Sequence, residues 1–170
     1  MSILTFSQCT KHPDKPQTDY LFPETQTGRG TFSCLVDGQA FIPYTAQRGM
    51  NPSQAYYGIK NGKYIFTVFS HNYTDPISHS IILYGDSLQM MPGIYALNTS
   101  PIGLIFGAAY DLTNNGNVTT YNTNATNKGE LHITRLDSGI ASGTFWFDAQ
   151  DSVTKKVVQI RRGQFDLNYQ

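Results

Sequence analysis

Two dipeptides, Asp37-Gly38 and Asn61-Gly62, sit between short apolar runs and constrain the fold of this chain more than any other feature. Both central positions of a two-residue hairpin turn need a positive φ, which Gly, Asn and Asp tolerate and β-branched residues do not. Each dipeptide therefore predicts a pair of antiparallel strands, 31–36 with 39–42 and 55–60 with 63–70. Beyond them, runs rich in Val, Ile, Phe and Tyr alternate with Gly, Asn, Asp and Pro, and no stretch holds a helical period. Further strands are predicted at 80–84, 93–97, 104–110, 118–121, 130–136, 140–148, 157–161 and 164–169. Short strands at this spacing imply an all-β domain, a single antiparallel β-sandwich. A closed β-barrel is the alternative, because both architectures alternate inward and outward residues.

That alternation assigns faces in the last strands. Leu131 and Ile133 share one side, and His132 and Thr134 the other; Phe145 and Phe147 oppose Trp146; Phe165, Leu167 and Tyr169 oppose Gln164, Asp166 and Asn168. The first-named sets are expected in the core, which leaves Trp146, the sole tryptophan, on the outer face.

Composition agrees with this reading. Eleven Tyr and ten Phe carry most of a 13% aromatic fraction, and aromatic rings suit a pleated, half-buried surface. Twelve basic residues balance twelve acidic ones, with no basic run, which argues against nucleic acid or an anionic bilayer as partner. No segment reaches the roughly 18 apolar residues of a spanning helix.

The first thirty residues read differently. Residues 3–8 (ILTFSQ) look like the end of an apolar signal segment, followed by Cys9 and then a polar, proline-spaced run with Pro13, Pro16 and Pro23. A bacterial lipoprotein signal has this shape at its cleavage point, although the apolar run is short and lacks a basic start. The expected organisation is a signal remnant at 1–8 belonging to a start codon placed too late, lipid on Cys9, a flexible tether at 9–30 that folding does not need, and the β-domain at 31–170.

Two passages carry a resemblance. The PETQTG and TFSCLVDGQAFIP of residues 21–43 resemble the opening of a family of uncharacterised Bacteroidota lipoproteins, P-P-x-T-Q-T-G, two residues, then T-F-G-C-L-V-N-G, an aromatic and a proline. The GELHITRLD, IASGTFWFDA and RRGQFDLNY of residues 129–169 are similar to that family's G-x-L-x-I-T-x-x-D, S-G-T-F-x-F and G-x-F-D. The chain departs from the pattern at Phe22, Glu24, Ser33 and the shortened signal. The resemblance implies a lipid-anchored β-domain of the cell envelope, at the outer membrane, with no established activity. Asp86-Ser87-Leu88 and Asp151-Ser152-Val153 also resemble the Asp-Ser/Thr-aliphatic acceptor of envelope O-glycosylation in that bacterial group, which makes Ser87 and Ser152 candidates.

Catalytic signatures are lacking. Cys34 lies mid-strand with no histidine near it in sequence, as expected of core packing rather than a reactive thiol. His71, Asp75 and His79 cluster around one loop but are too few for zinc, and 111–117 (DLTNNGN) resembles the front of a calcium loop without its closing acidic residue, so a plain Asn/Gly turn is expected. No catalytic, metal or cofactor residue is assigned. Glu24 and Glu130, the only glutamates, are distant in sequence, although a glycosidase pair is assembled in space. The residues best suited to ligand contact are Tyr44, Tyr56, Tyr57 and Tyr73, with outward Trp146, as a stacking surface. The expected function is a non-catalytic binding or interaction module, its partner an envelope protein or glycan; the alternative is an envelope hydrolase acting on glycans.

Overall fold

A computed structural model describes residues 16–46, 49–74, 76–86, 89–98 and 106–170. Cys9, Asp75 and Ser87 lie outside the described residues, as does the signal segment. Among the described residues, a 3₁₀ turn at Gln17–Tyr20 is followed by eleven strands: β1 (Thr31–Val36), β2 (Gln39–Phe41), β3 (Ser53–Lys60), β4 (Lys63–Thr74), β5 (Ile77–Asp86), β6 (Gly93–Leu97), β7 (Phe106–Asn114), β8 (Asn117–Asn122), β9 (Gly129–Asp137), β10 (Ile140–Asp151) and β11 (Val157–Asn168).

The two hairpins follow from their turn residues. Asp37 and Gly38 have φ of 47° and 82°, and Asn61 and Gly62 of 52° and 75°, so each turn has the primed geometry that matches strand twist. Asn115 and Gly116, at 48° and 78°, make the third such turn, which places the DLTNNGN stretch in a continuous β7–β8 hairpin.

All pairings between strands are antiparallel, in the order β2-β1-β11-β10-β8-β7-β5-β4-β3, with β9 beside β10 and β6 beside β9. The strand that turns one sheet into two layers is β10. Its residues 140–147 pair with β9, whereas Gln150 and Asp151 pair with Asn122 and Tyr121 of β8. Strands β2, β1, β11, β10, β9 and β6 thus make one layer and β3, β4, β5, β7 and β8 the other, and their buried side chains form one cluster. Phe32, Phe145, Phe147 and Phe165 fill it from the first layer and Phe66, Val68, Ile81 and Leu83 from the second. Away from β10 the layers meet through two isolated bridges, Ala55 with Tyr169 and Tyr44 with Asn72, rather than a ladder, so the sheet does not close into a barrel.

Two expectations need correction. The strands expected at 157–161 and 164–169 are one strand, β11, bent where Phe145 pairs with Gly163 and Phe147 with Ile160. Trp146 therefore faces two residues, Arg161 and Arg162, and Arg162 takes φ 51°, a β-bulge that sharpens the local twist. Only glycine fits at 163, since a Cβ there would stand 2.4 Å from the Phe145 ring.

The second correction concerns the outer face of β11 and the part of the expected tether from residue 16 to residue 30; residues 9–15 lie outside the described residues. Gln164 and Asp166 alternate outward as expected, yet they are 9% and 1% exposed, because residues 16–30 lie across them. The described part of that segment is extended but docked. Asp166 Oδ2 accepts from the Thr25 hydroxyl (2.6 Å) and the Thr27 and Arg29 amides (3.0 and 3.2 Å), and Oδ1 accepts from the Gly28 amide (2.8 Å) and the Ser142 hydroxyl (2.7 Å). Composition marks this run as unable to fold alone; it does not show that a buried carboxylate elsewhere collects its amides.

Candidate functional site

Where the docked segment leaves the outer face, it forms one wall of an open cleft of about 650 Å³. Leu21, Phe22, Pro23 and Glu24 make that wall, and the floor comes from the outward positions of β9, β10 and β11. Strand register lays the floor out in two rows. Thr144 sits between His132 and Gln164, and Trp146 sits between Glu130 and the bulge at Arg161 and Arg162. The wall is fixed at its base, where the Phe22 amide donates to Ser33 Oγ (3.0 Å), which also accepts from Gln164 Nε2 (3.2 Å). Farther along, Arg135 Nη1 donates to the Gln26 carbonyl (2.5 Å).

Trp146 is 43% exposed and held from one side. The Arg161 guanidinium carbon lies 5.6 Å from the indole centroid, and Arg161 is itself fixed by Asp148 (2.6 Å) and by the Phe147 and Ile160 carbonyls (3.1 and 2.9 Å). A cation over an aromatic face contributes about 0.5–1 kcal/mol at an exposed site, enough to bias the indole orientation. Arg162, not Arg161, lines the cleft, so the buttress stands outside it.

Electrostatics at the two ends of this face differ. Burial works to raise the Asp166 pKa, but hydrogen bonds from Thr25, Ser142, Gly28 and Thr27 outweigh it and hold the carboxyl far below its ordinary range. Asp166 is thus an ionised latch beneath the segment. The cleft proper carries two carboxylates, Glu24 and Glu130, against one guanidinium, Arg162, with His132 beside them.

The five aromatic residues expected as a stacking surface are not brought together. Tyr57 turns inward, where its hydroxyl bonds the Met90 carbonyl and amide (3.1 and 3.0 Å) and its ring packs on Tyr64 and Tyr169. Tyr56, next to it in β3, is 37% exposed and lines a shallow groove with Phe69 and Gln170. Tyr44 and Tyr73 are adjacent and exposed at the end of β4, joined by the Tyr73 amide donating to the Tyr44 carbonyl (2.9 Å). Trp146 alone of the five lines the large cleft.

Cys34 is fully buried, and burial pushes its thiol pKa up, as a packing residue requires. Ser70 and Ile81 face the core, so His71 of β4 points outward while His79 of β5 points inward to the Tyr110 hydroxyl (2.5 Å); the two imidazoles do not share a site. Among the described residues no group of three or more His, Cys, Asp or Glu could hold a metal. Ser152 is exposed in the β10–β11 turn, which Asp151 organises by accepting from the Val153 amide (2.9 Å) and the Thr154 amide and hydroxyl. Sequence reasoning missed the association of Glu24, Glu130 and Trp146. Alternation already put Trp146 and His132 outside, but nothing in the sequence set Glu24 opposite them.

The family described as a domain of unknown function (DUF6252) matches residues 77–166, more than half of the chain and including β9, β10 and most of β11. No curated protein and no solved structure matches the chain.

Proposed function

The chain belongs to the DUF6252 family, and on that premise we propose that it is a non-catalytic binding module of the cell envelope whose ligand site is the Trp146 cleft. The observation that carries this reading is an exposed tryptophan, held on one side by an Arg161 that Asp148 fixes, at the floor of an open cleft of about 650 Å³. Concave sites with an aromatic floor and a few convergent polar groups are where small ligands bind. Hydrogen exchange on the intact protein, with and without solubilised envelope material, tests it. Peptides covering 18–24, 130–132, 144–146 and 162–164 should gain protection; protection confined to other surfaces overturns the reading.

The address is part of the same proposal: lipid on Cys9 holds the domain at a membrane surface, the outer membrane. The intact mass of the N-terminal peptide, from protein expressed with its upstream region in a lipoprotein-processing host, should show acyl chains on Cys9. An unmodified Cys9 removes the address. Ser87 and Ser152 are proposed O-glycan acceptors; a hexose-bearing mass on the Ser152 peptide of exported protein supports the exposed one, and its absence excludes it.

One observation favours a second reading, an envelope hydrolase acting on glycans. Glu24 and Glu130, the chain's two glutamates, line the same cleft. Hydrolysis of a glycosidic bond needs one carboxyl to protonate the leaving oxygen and another to activate water or attack carbon. Release of reducing ends that is lost in Glu130→Gln would establish it; binding without turnover leaves the module non-catalytic.

A further inference from the structure

We propose that the cleft takes a neutral saccharide chain, with the free face of Trp146 as the platform for one sugar ring; this rests on the cleft being the ligand site. A pyranose has an apolar C–H face and a rim of hydroxyls that each donate and accept. Its complement is a flat aromatic surface edged by mixed polar groups. The cleft supplies both: Trp146 on the floor, Glu130 paired with it on the neighbouring strand β9, and His132, Thr144 and Gln164 in the adjoining row.

A lone exposed aromatic needs no explanation on a protein surface. Two features set Trp146 apart. The bulge in β11 puts Arg161 and Arg162 opposite it, and the pair splits its work: Arg161 is tied to Asp148 and stacks on the indole, while Arg162 lines the cleft. The indole is therefore oriented before any ligand arrives, which reduces the ordering cost of stacking. The wall is also preformed, because residues 21–24 are held between Ser33 and the Asp166 latch.

Charge selects among ligands. With Arg161 neutralised by Asp148, the cleft presents two carboxylates and one guanidinium, so a polyanion meets net repulsion while an uncharged polyol loses nothing. An acyl chain would desolvate Glu130, His132 and Arg162 without replacing their hydrogen bonds to water.

Since Trp146 is the only tryptophan, its emission reports this site alone. The intact protein is titrated at millimolar concentration with cello-, xylo-, manno-, malto- and chito-hexaose, and with heparin as the anionic probe. The expected result is a saturable emission shift with at least one neutral hexasaccharide and none with heparin. By calorimetry, Trp146→Ala should weaken that binding tenfold or more, and Trp146→Phe should retain part of it. Heparin binding as tight as any neutral probe, or neutral binding unaffected in Trp146→Ala, overturns the proposal. Silence of every neutral probe while envelope material still protects the cleft from exchange overturns the saccharide and leaves the site; loss of that protection removes the site itself.

Discussion

The outer face of β11 ends in two opposite ways a short distance apart. At Asp166 a charged side chain is 1% exposed, sealed under residues 25–29 and satisfied by five donors. At Trp146, one strand over, a large apolar side chain is left 43% open to water. The ordinary preference is the reverse, with tryptophan covered and aspartate exposed. The same docked segment accounts for both, covering the carboxylate and then lifting to become the wall beside the indole. One end of the face is built to hold the segment in place, and the other end is left open for something else.

Breaking the closed end should have the largest effect. Asp166→Ala leaves the donors of Thr25, Thr27, Gly28, Arg29 and Ser142 without their acceptor, and urea unfolding should show a loss of about 3–5 kcal/mol. Removing residues 1–30 should cost a comparable amount, and the two changes together much less than their sum, because both delete the bonds from Thr25, Thr27, Gly28 and Arg29. Full additivity in that cycle would mean that the segment and Asp166 contribute independently, against the latch.

Asp166→Asn sharpens the same point through pH. Both carboxylate oxygens only accept, so an amide must turn its NH₂ toward donors whichever way it is flipped. The folded-state pKa of Asp166 lies below its unfolded value. Its contribution is therefore complete above the unfolded value of about 3.9 and is lost as pH falls through the lower folded value. Wild type should lose stability below about pH 4 more steeply than Asp166→Asn, with no difference in slope between pH 5 and 7. Equal acid slopes would show that another carboxyl governs acid unfolding.

Gly28→Ala is a smaller break at the same end. Gly28 has φ 71°, and an added Cβ would lie 2.6 Å from Asn168 Oδ1, so a loss of about 1–2 kcal/mol is expected in the same unfolding assay. An unchanged midpoint would mean that the segment relaxes away from β11 at little cost.

The open end should respond least in stability. Trp146→Ala should change the unfolding free energy by no more than about 0.5–1 kcal/mol, the size of the Arg161 contact, while abolishing the ligand response. Stability lost there on the scale of Asp166→Ala would make Trp146 a packing residue and erase the contrast between the two ends.

Most of the strand plan was legible from residues. The turns at Asp37-Gly38 and Asn61-Gly62 could be read because a positive φ at consecutive positions is a local steric demand. The inward set Leu131, Ile133, Phe145, Phe147, Phe165 and Leu167 could be read because side chains alternate along a strand wherever one face meets a core. The same rule put Trp146 outside. It failed to foresee the burial of Gln164 and Asp166, since alternation gives the direction of a side chain and not what lies above it. Nor did it show the bulge that fuses 157–168 into one strand, which depends on Gly163 letting the Phe145 ring approach.

By itself the sequence determined what each short stretch could be: strands, their turns, which side of each strand is apolar, and a first segment too polar and proline-rich to fold alone. Those properties depend on neighbours within a few residues. The tertiary structure decided the rest, because it rests on pairs separated by more than a hundred positions, Thr25 with Asp166 and Arg135 with Gln26. The docking of the N-terminal segment is one such decision, and with it the cleft in which Glu24, Glu130 and Trp146 meet. A hydrogen bond made by a buried carboxylate leaves no periodic trace in the chain that donates to it, so only the folded geometry could show where that segment would come to rest.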